Sequence, residues 1–195
     1  GKQKQRDDSL RSLKREVFTQ MPGSRGDPLL AVQNMPGINR TGFGSAQVVI
    51  QGSAPQDTRY TIDQHEVPIM FHFGNFSSVI LPEALDRIDY YSAGYGPEFS
   101  RAMGGLIGAS TKTPRKDRLG GMAFVDLINS GAALEGPVGS KGSFMIGGRQ
   151  SYIGAVLAAV VKNNDSFNLT VAPTFADGVA VYETPLSDQD DFKVV

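Results

Sequence analysis

From Gly120 to Val195 no convincing helix start appears, only segments compatible with apolar residues at every second position. That period suits strands, whereas the apolar positions of an amphipathic helix recur about every three to four residues. In Gly142 to Ile153, Phe144, Ile146 and Tyr152 fall on one face, with Met145, Gly147, Arg149 and Ser151 on the other. In Leu169 to Val181, Val171, Phe175, Val179 and Val181 alternate with Thr170, Thr174, Ala176 and Ala180. Met122, Phe124, Ile128, Ala132 and Leu134 alternate more weakly around Asp126. Gly136-Pro137-Val138-Gly139-Ser140-Lys141-Gly142 is a tight turn between strands. Strands with one apolar face and one small or polar face fit a transmembrane barrel wall. They fit a soluble sandwich equally well, and periodicity alone does not separate the two.

A membrane-spanning helix is excluded. No stretch without Asp, Glu, Lys or Arg exceeds 16 residues; two of them run from Val67 to Pro82 and from Gln150 to Val161. The first holds Pro68, His72, Asn75 and Pro82, and the second is shorter than the ~18–20 apolar residues a span needs. A β-span needs only ~9–11 alternating residues and stays open. The N-terminus lacks the apolar run of a secretory signal.

Charge and chemistry narrow the classes further. Nineteen basic residues stand against 20 acidic ones, for a net charge of −1. No global field favours nucleic acid, whose binding rests on phosphate neutralisation. Cysteine is absent, which removes disulfides, thiolate metal sites and cysteine nucleophiles. His65 and His72 lack a third ligand at a metal-binding spacing. Asp188, Asp190 and Asp191 lack the glycine and distal glutamate of a calcium loop and read as a solvated turn. No phosphate-binding glycine motif and no G-x-S-x-G is present. The chain offers no catalytic residues, no cofactor site and no metal site.

Before Gly120 the pattern is mixed. Residues 1–20 are polar, with a thin stripe of Leu10, Leu13 and Val17, and read as a flexible arm. Asp27 can cap a helix whose first position suits Pro28, ending at Pro36-Gly37. That role also accounts for the Asp of Arg25-Gly26-Asp27, which spells an adhesion tripeptide. Gln47 to Gly52, Arg59 to Asp63 and Val67 to Met70 read as strands. Pro82 to Arg87 reads as a short helix or turn, and Ile88 to Ser92 as a strand. A small α+β domain over about 21–113 fits this order.

Taken in sequence, these pieces resemble the plug domain of TonB-dependent outer-membrane receptors, followed by the first strands of their barrel. Met21-Pro22-Gly23 through Pro36-Gly37-Ile38 is similar to the family's opening helix and "LPGV"-type turn. Val49-Ile50-Gln51-Gly52 occupies the place of the "IRG" strand, and Tyr60 to Pro68 that of the "VYVDGVPV" segment. Pro82 to Asp89 is similar to the "IERIEV" element, and Phe71 to Phe76 to the "HFGG" loop of one branch. Tyr95-Gly96 through Gly104-Gly105-Leu106-Ile107-Gly108-Ala109-Ser110-Thr111-Lys112 resembles the closing "YG…GGVINIITK". The likeness covers about 90 residues, and its closing motif is the most specific part. Gln51 stands where the family usually has arginine, and Gln64-His65 replaces an Asp-Gly turn.

The resemblance implies an α+β plug at 21–113, after an arm at 1–20, and antiparallel strands of an incomplete transmembrane β-barrel at 119–195. Gln51, Gly52, Asp63, Arg87, Gly104, Gly105 and Lys112 carry the plug motifs. Phe144, Ile146, Tyr152, Val171, Phe175, Val179 and Val181 are expected to face lipid, with Arg149 and Thr174 facing the lumen. The implied function is energy-coupled passage of a bulky solute across a bacterial outer membrane. A structural part in a larger envelope assembly is the alternative. The implied partners are a TonB-type energy-coupling protein and outer-membrane lipid. A plugged barrel of this kind has about 22 strands, whereas this stretch has room for three or four. A second polypeptide, or a missing C-terminal remainder, is therefore expected to complete it.

Overall fold

The computed structural model describes residues 10–24, 26–40, 48–72, 77–99, 102–161, 173–187 and 189–195. The chain divides into two compact units, Gly1–Lys112 and Thr113–Val195.

The first unit opens with β1 (Leu10–Lys14), which runs directly into α1 (Arg15–Gln20). Residues 10–20 therefore depart from the flexible arm expected there. Leu13 lies opposite Ile88 in the sheet, and both Leu13 and Phe18 are buried. The Arg15 guanidinium donates to the carbonyls of Pro82, Glu83 and Leu85 at 3.0–3.2 Å. Long-range partners, absent from any local pattern, order this segment.

Helix α2 (Pro28–Val32) follows the sequence expectation. The Asp27 carboxylate accepts from the backbone N–H groups of Leu29 and Leu30 (2.9 and 3.2 Å), and Pro28 takes the first turn, where no N–H is needed. Every residue of this helix is buried. Strands β2 (Ile38–Arg40) and β3 (Val48–Ile50) then pair antiparallel as a small ribbon.

The main sheet of this unit adds β4 (Arg59–Ile62), β5 (His65–Val67), β6 (Leu85–Tyr91) and β7 (Leu106–Thr111). Its order is β1-β6-β7-β4-β5, antiparallel except for the parallel pair β4–β7. A 3-10 turn at Pro82–Ala84 leads into β6, in keeping with the proline-opened turn expected there. One face carries Leu13, Tyr60, Ile88, Tyr90 and Ile107, all buried. With Phe18, Leu29, Ile50, Met70, Phe71 and Leu81 they form the core. Side chains of this size contribute roughly 1.5–3 kcal/mol each when fully buried.

The second unit is an antiparallel meander of β8 (Gly120–Val125), β9 (Asn129–Val138), β10 (Gly142–Ser151), β11 (Ala176–Pro185) and β12 (Asp191–Val194). It holds five strands, against the three or four expected. Between β10 and β11 stands helix α3 (Ile153–Val161), in a region where no helix is expected from the sequence. The Ser151 hydroxyl accepts from the Ile153 N–H at 3.3 Å where the helix begins. A serine before a run of Ala, Val and Leu is the start signal that the search for period two passes over. Ser187 and Asp190 lie in the β11–β12 turn, where the Ser187 N–H donates to the Asp190 carbonyl at 3.2 Å.

Candidate functional site

The plug-motif residues gather at two tight turns and one close backbone approach. Gln51 and Gly52, at φ 49° and 79°, turn the chain after β3, and Gln51 N–H donates to the Gly37 carbonyl at 2.8 Å. The side chain of Gln51 is exposed. The β4–β5 turn is built from Asp63 and Gln64, at φ 45° and 69°, with Ile62 paired to His65. The turn pair is thus Asp63-Gln64 and not Gln64-His65. Two positive φ values mark a type I′ turn, and Gln64 occupies the position that usually favours glycine. His65 is the first residue of β5 and is exposed.

Asp63 also reaches across the sheet. Its carboxylate accepts from the Thr111 N–H (2.9 Å) and the Thr111 hydroxyl (2.5 Å), while its own N–H donates to the Ala109 carbonyl (2.9 Å). The hairpin end of β4 is thereby fixed to the end of β7. Tyr60, three residues earlier on β4, accepts from the Val48 N–H at 3.3 Å. Burial raises its phenol above the ordinary value, and the Val48 bond opposes that rise.

Gly104 and Gly105 sit where chains pass closest. A Cβ on Gly105 would stand 2.6 Å from Ile50 Cδ1 and 2.9 Å from the Tyr91 carbonyl oxygen. A Cβ on Gly104 would run into the Ser53 side chain. Arg87 pairs with Asp89 at 3.1 Å and is half exposed. Lys112 N–H donates to the Ala84 carbonyl at 2.8 Å. Arg87, Asp89, Thr61, Gln64, Phe99 and Gly108 are among the residues that line a polar cleft of ≈ 250 Å³. Among the described residues no group of three or more His, Asp or Glu could hold a metal ion.

The second unit presents two unlike faces. The register pairs Phe144 with Gly136 and Tyr182, and Ile146 with Leu134 and Ala180, on one side. On the other side Met145 lies opposite Glu135 and Val181, and Arg149 opposite Asp177. Every charged residue of the five strands, Glu135, Arg149, Asp177, Glu183, Asp191 and Lys193, belongs to this second face. The first face carries none, and Ile146 is 55% exposed on it.

This register corrects part of the sequence reading. Val179 and Val181 lie on the face of Arg149, opposite Phe144 and Ile146. Phe175 belongs with them, since the Arg149 guanidinium stands 5.4 Å from its ring centre. The small residues Ala176, Gly178 and Ala180 take the uncharged face instead. Side-chain size misled here because hydrogen-bond register, not bulk, sets which face a residue takes. Thr174 is exposed just before β11. Tyr152 lies past the end of β10, and its hydroxyl donates to the carbonyls of Asp126 and Asn129. Val171 lies outside the described residues, as do the Phe73 to Phe76 part of the "HFGG"-like loop, Arg25 and Asp188.

Asp177 escaped the sequence reading, although an acid inside an apolar alternation is a usable signal. It pairs with Arg149 through Nε at 3.0 Å and Nη2 at 2.5 Å, with the two side chains 3% and 7% exposed. Glu135 and Glu183 were missed in the same way.

Compared with known proteins, residues 2–106 match the family model described as TonB-dependent Receptor Plug Domain. The fold is similar to that of the siderophore receptor PirA from Pseudomonas aeruginosa, at 20% identity and a TM-score of 0.61, over 95% of this chain and 33% of that one. A ferric enterobactin receptor (PfeA) mutant from Pseudomonas aeruginosa gives 17% identity and a TM-score of 0.61, over 95% and 32%. The outer membrane transporter YddB from Escherichia coli gives 14% identity and a TM-score of 0.62, over 95% and 32%. The chain thus spans about a third of the length of these structures. No curated protein sequence matches it.

Proposed function

The chain belongs to the TonB-dependent receptor plug domain family, and from that premise we propose that it supplies the gating plug and part of the barrel wall of an outer-membrane transporter. The plug occupies the pore, and a TonB-type energy-coupling protein pulls on its N-terminal side to admit a bulky solute. The outer membrane is where it works.

One observation carries the wall assignment: charge is confined to one face of the five-stranded sheet. Burying a charge in hydrocarbon costs ~2–4 kcal/mol for Arg or Lys near the midplane. A sheet that keeps Arg149, Asp177, Glu135 and Glu183 on one side, and offers Ile146, Leu134, Tyr182 and Phe192 on the other, is built for lipid outside and a polar interior. Strands β8 and β12 each have one neighbour in this sheet. Backbone groups unpaired in lipid cost several kcal/mol each, so further strands pair with both edges in the membrane.

The cargo is tested directly. Ferric chelates are the first solutes to offer, because the similar structures include proteins named as ferric enterobactin and siderophore receptors. Iron-labelled chelate uptake is expected to need both this protein and the energy-coupling partner. Protein that assembles in the outer membrane while no uptake depends on the membrane's energy supply would overturn the transport reading.

A further inference from the structure

The segment joining the two units is tied down on both sides of a single peptide bond. On one side, Lys112 N–H donates to the Ala84 carbonyl at 2.8 Å, which holds the end of β7 within the first unit. On the other side, the Thr113 hydroxyl donates to Glu183 Oε2 at 2.9 Å. Lys116 Nζ lies 3.7 Å from the other oxygen of the same carboxylate, and Arg115 N–H donates to Glu135 Oε2 at 3.2 Å. A Cβ on Gly120, the first residue of β8, would stand 2.8 Å from Arg115 Nη1, so the guanidinium lies directly over that strand.

These contacts set the path of the chain. Glu183 is on β11, Glu135 on β9 and Gly120 on β8, all on the charged face. Residues 113–118 therefore cross the sheet from β11, over β10 and β9, to β8. Neighbouring strands lie about 4.8 Å apart, so three spacings are about 14 Å, a distance these six residues span without full extension. The Glu183 side chain is only 9% exposed. A carboxylate this buried is costly to hold without compensation, and the strap supplies a hydroxyl donor to one oxygen and an ammonium charge near the other.

We propose that Thr113–Arg118 is an anchored strap and not a flexible linker, and that the joint between plug and wall is confined to Lys112–Thr113. Glu135 and Glu183 are its anchor residues. Resting on the plug-and-wall reading above, the inference adds that a pull on the plug meets the wall at Glu183, with the strap itself staying in place.

The absence of cysteine makes the test direct. Asp117 is exposed, and among the described residues its ion pairs are with Arg115 and Arg118 of the strap, so a spin label on Asp117→Cys reports strap motion without touching the anchors. In the full-length protein in outer-membrane vesicles, the label is expected to be immobilised. With Glu135→Gln and Glu183→Gln added, the immobilised component is lost. Thr113→Val with Lys116→Met, which leaves the wall intact, is expected to give the same mobile spectrum and guards against a misfolded wall. A mobile label in the parent, or one spectrum shared by all three proteins, would overturn the strap. The readout does not use uptake, so a failure of the transport reading stays distinguishable from a failure of this one.

Discussion

The Asp63 carboxylate accepts two hydrogen bonds from one residue, Thr111, through the backbone N–H at 2.9 Å and the hydroxyl at 2.5 Å. The pair spans 48 residues of sequence and closes the parallel β4–β7 ladder at the point where β4 turns into β5. Asp63 thus serves a strained turn and a sheet end together.

Replacing Asp63 with Ala removes both acceptors and leaves the Thr111 N–H without this partner. Hydrogen bonds to charged groups contribute roughly 1.5–3 kcal/mol. Asp63→Ala is expected to lower the melting temperature of the detergent-solubilised protein. Asp63→Asn, which tolerates positive φ and keeps one acceptor, should lose about half as much. Equal losses would detach the effect from the Thr111 bonds.

Gly105 leaves no room for a side chain. Gly105→Ala is expected to cost ~1–3 kcal/mol as overpacking, read as faster proteolysis of the plug. Ile50→Ala removes two of the three close atoms, but the Tyr91 carbonyl, 2.9 Å from the new Cβ, is backbone and stays. The double variant should therefore recover only in part. Full recovery would place the strain on Ile50 alone.

The two faces of the wall should respond differently to polar substitution. Ala180 lies opposite Ile146 on the uncharged face, so Ile146→Arg and Ala180→Arg should both reduce outer-membrane assembly, by ~2–4 kcal/mol near the midplane. Val179→Thr, on the charged face, should assemble normally. Heat-modifiable migration of the barrel on gels distinguishes them. Assembly by Ala180→Arg with failure by Val179→Thr would restore the face assignment made on side-chain size.

Arg149 and Asp177 are both nearly inaccessible. Asp177→Ala leaves a buried guanidinium without its carboxylate and is expected to cost ~3–5 kcal/mol. Arg149→Met with Asp177→Leu removes both charges and should recover most of that loss. A double-mutant cycle on thermal melting gives the coupling, and additive losses would contradict it.

Asp27 shows where sequence reasoning reaches and where it stops. Its role as cap for Leu29 and Leu30 is legible, because the partners lie two and three residues on and the motif Asp-Pro has a local cause. Its other oxygen accepts from Ser78 N–H at 2.7 Å, 51 residues away, and nothing local marks that bond. The order of plug motifs, the glycine pair at 104–105 and the strand character after Gly120 were legible for the same reason as the cap. Each rests on turn chemistry, steric room or a period of two, which are properties of neighbouring residues.

What only the tertiary structure decided depends on partners brought from far along the chain. Leu10–Lys14 is a strand because β6 offers it an edge, and Leu13 finds Ile88 there. Helix α3 begins at a local serine signal, but its run of apolar residues carries no period that gives its face. The face taken by Val179 and Val181 follows from pairing Arg149 with Asp177, since a shift of one residue would turn every side chain of β11 over. Alternation along one strand gives two faces but does not say which of them matches a neighbour's; the hydrogen-bond register and a buried ion pair between strands do.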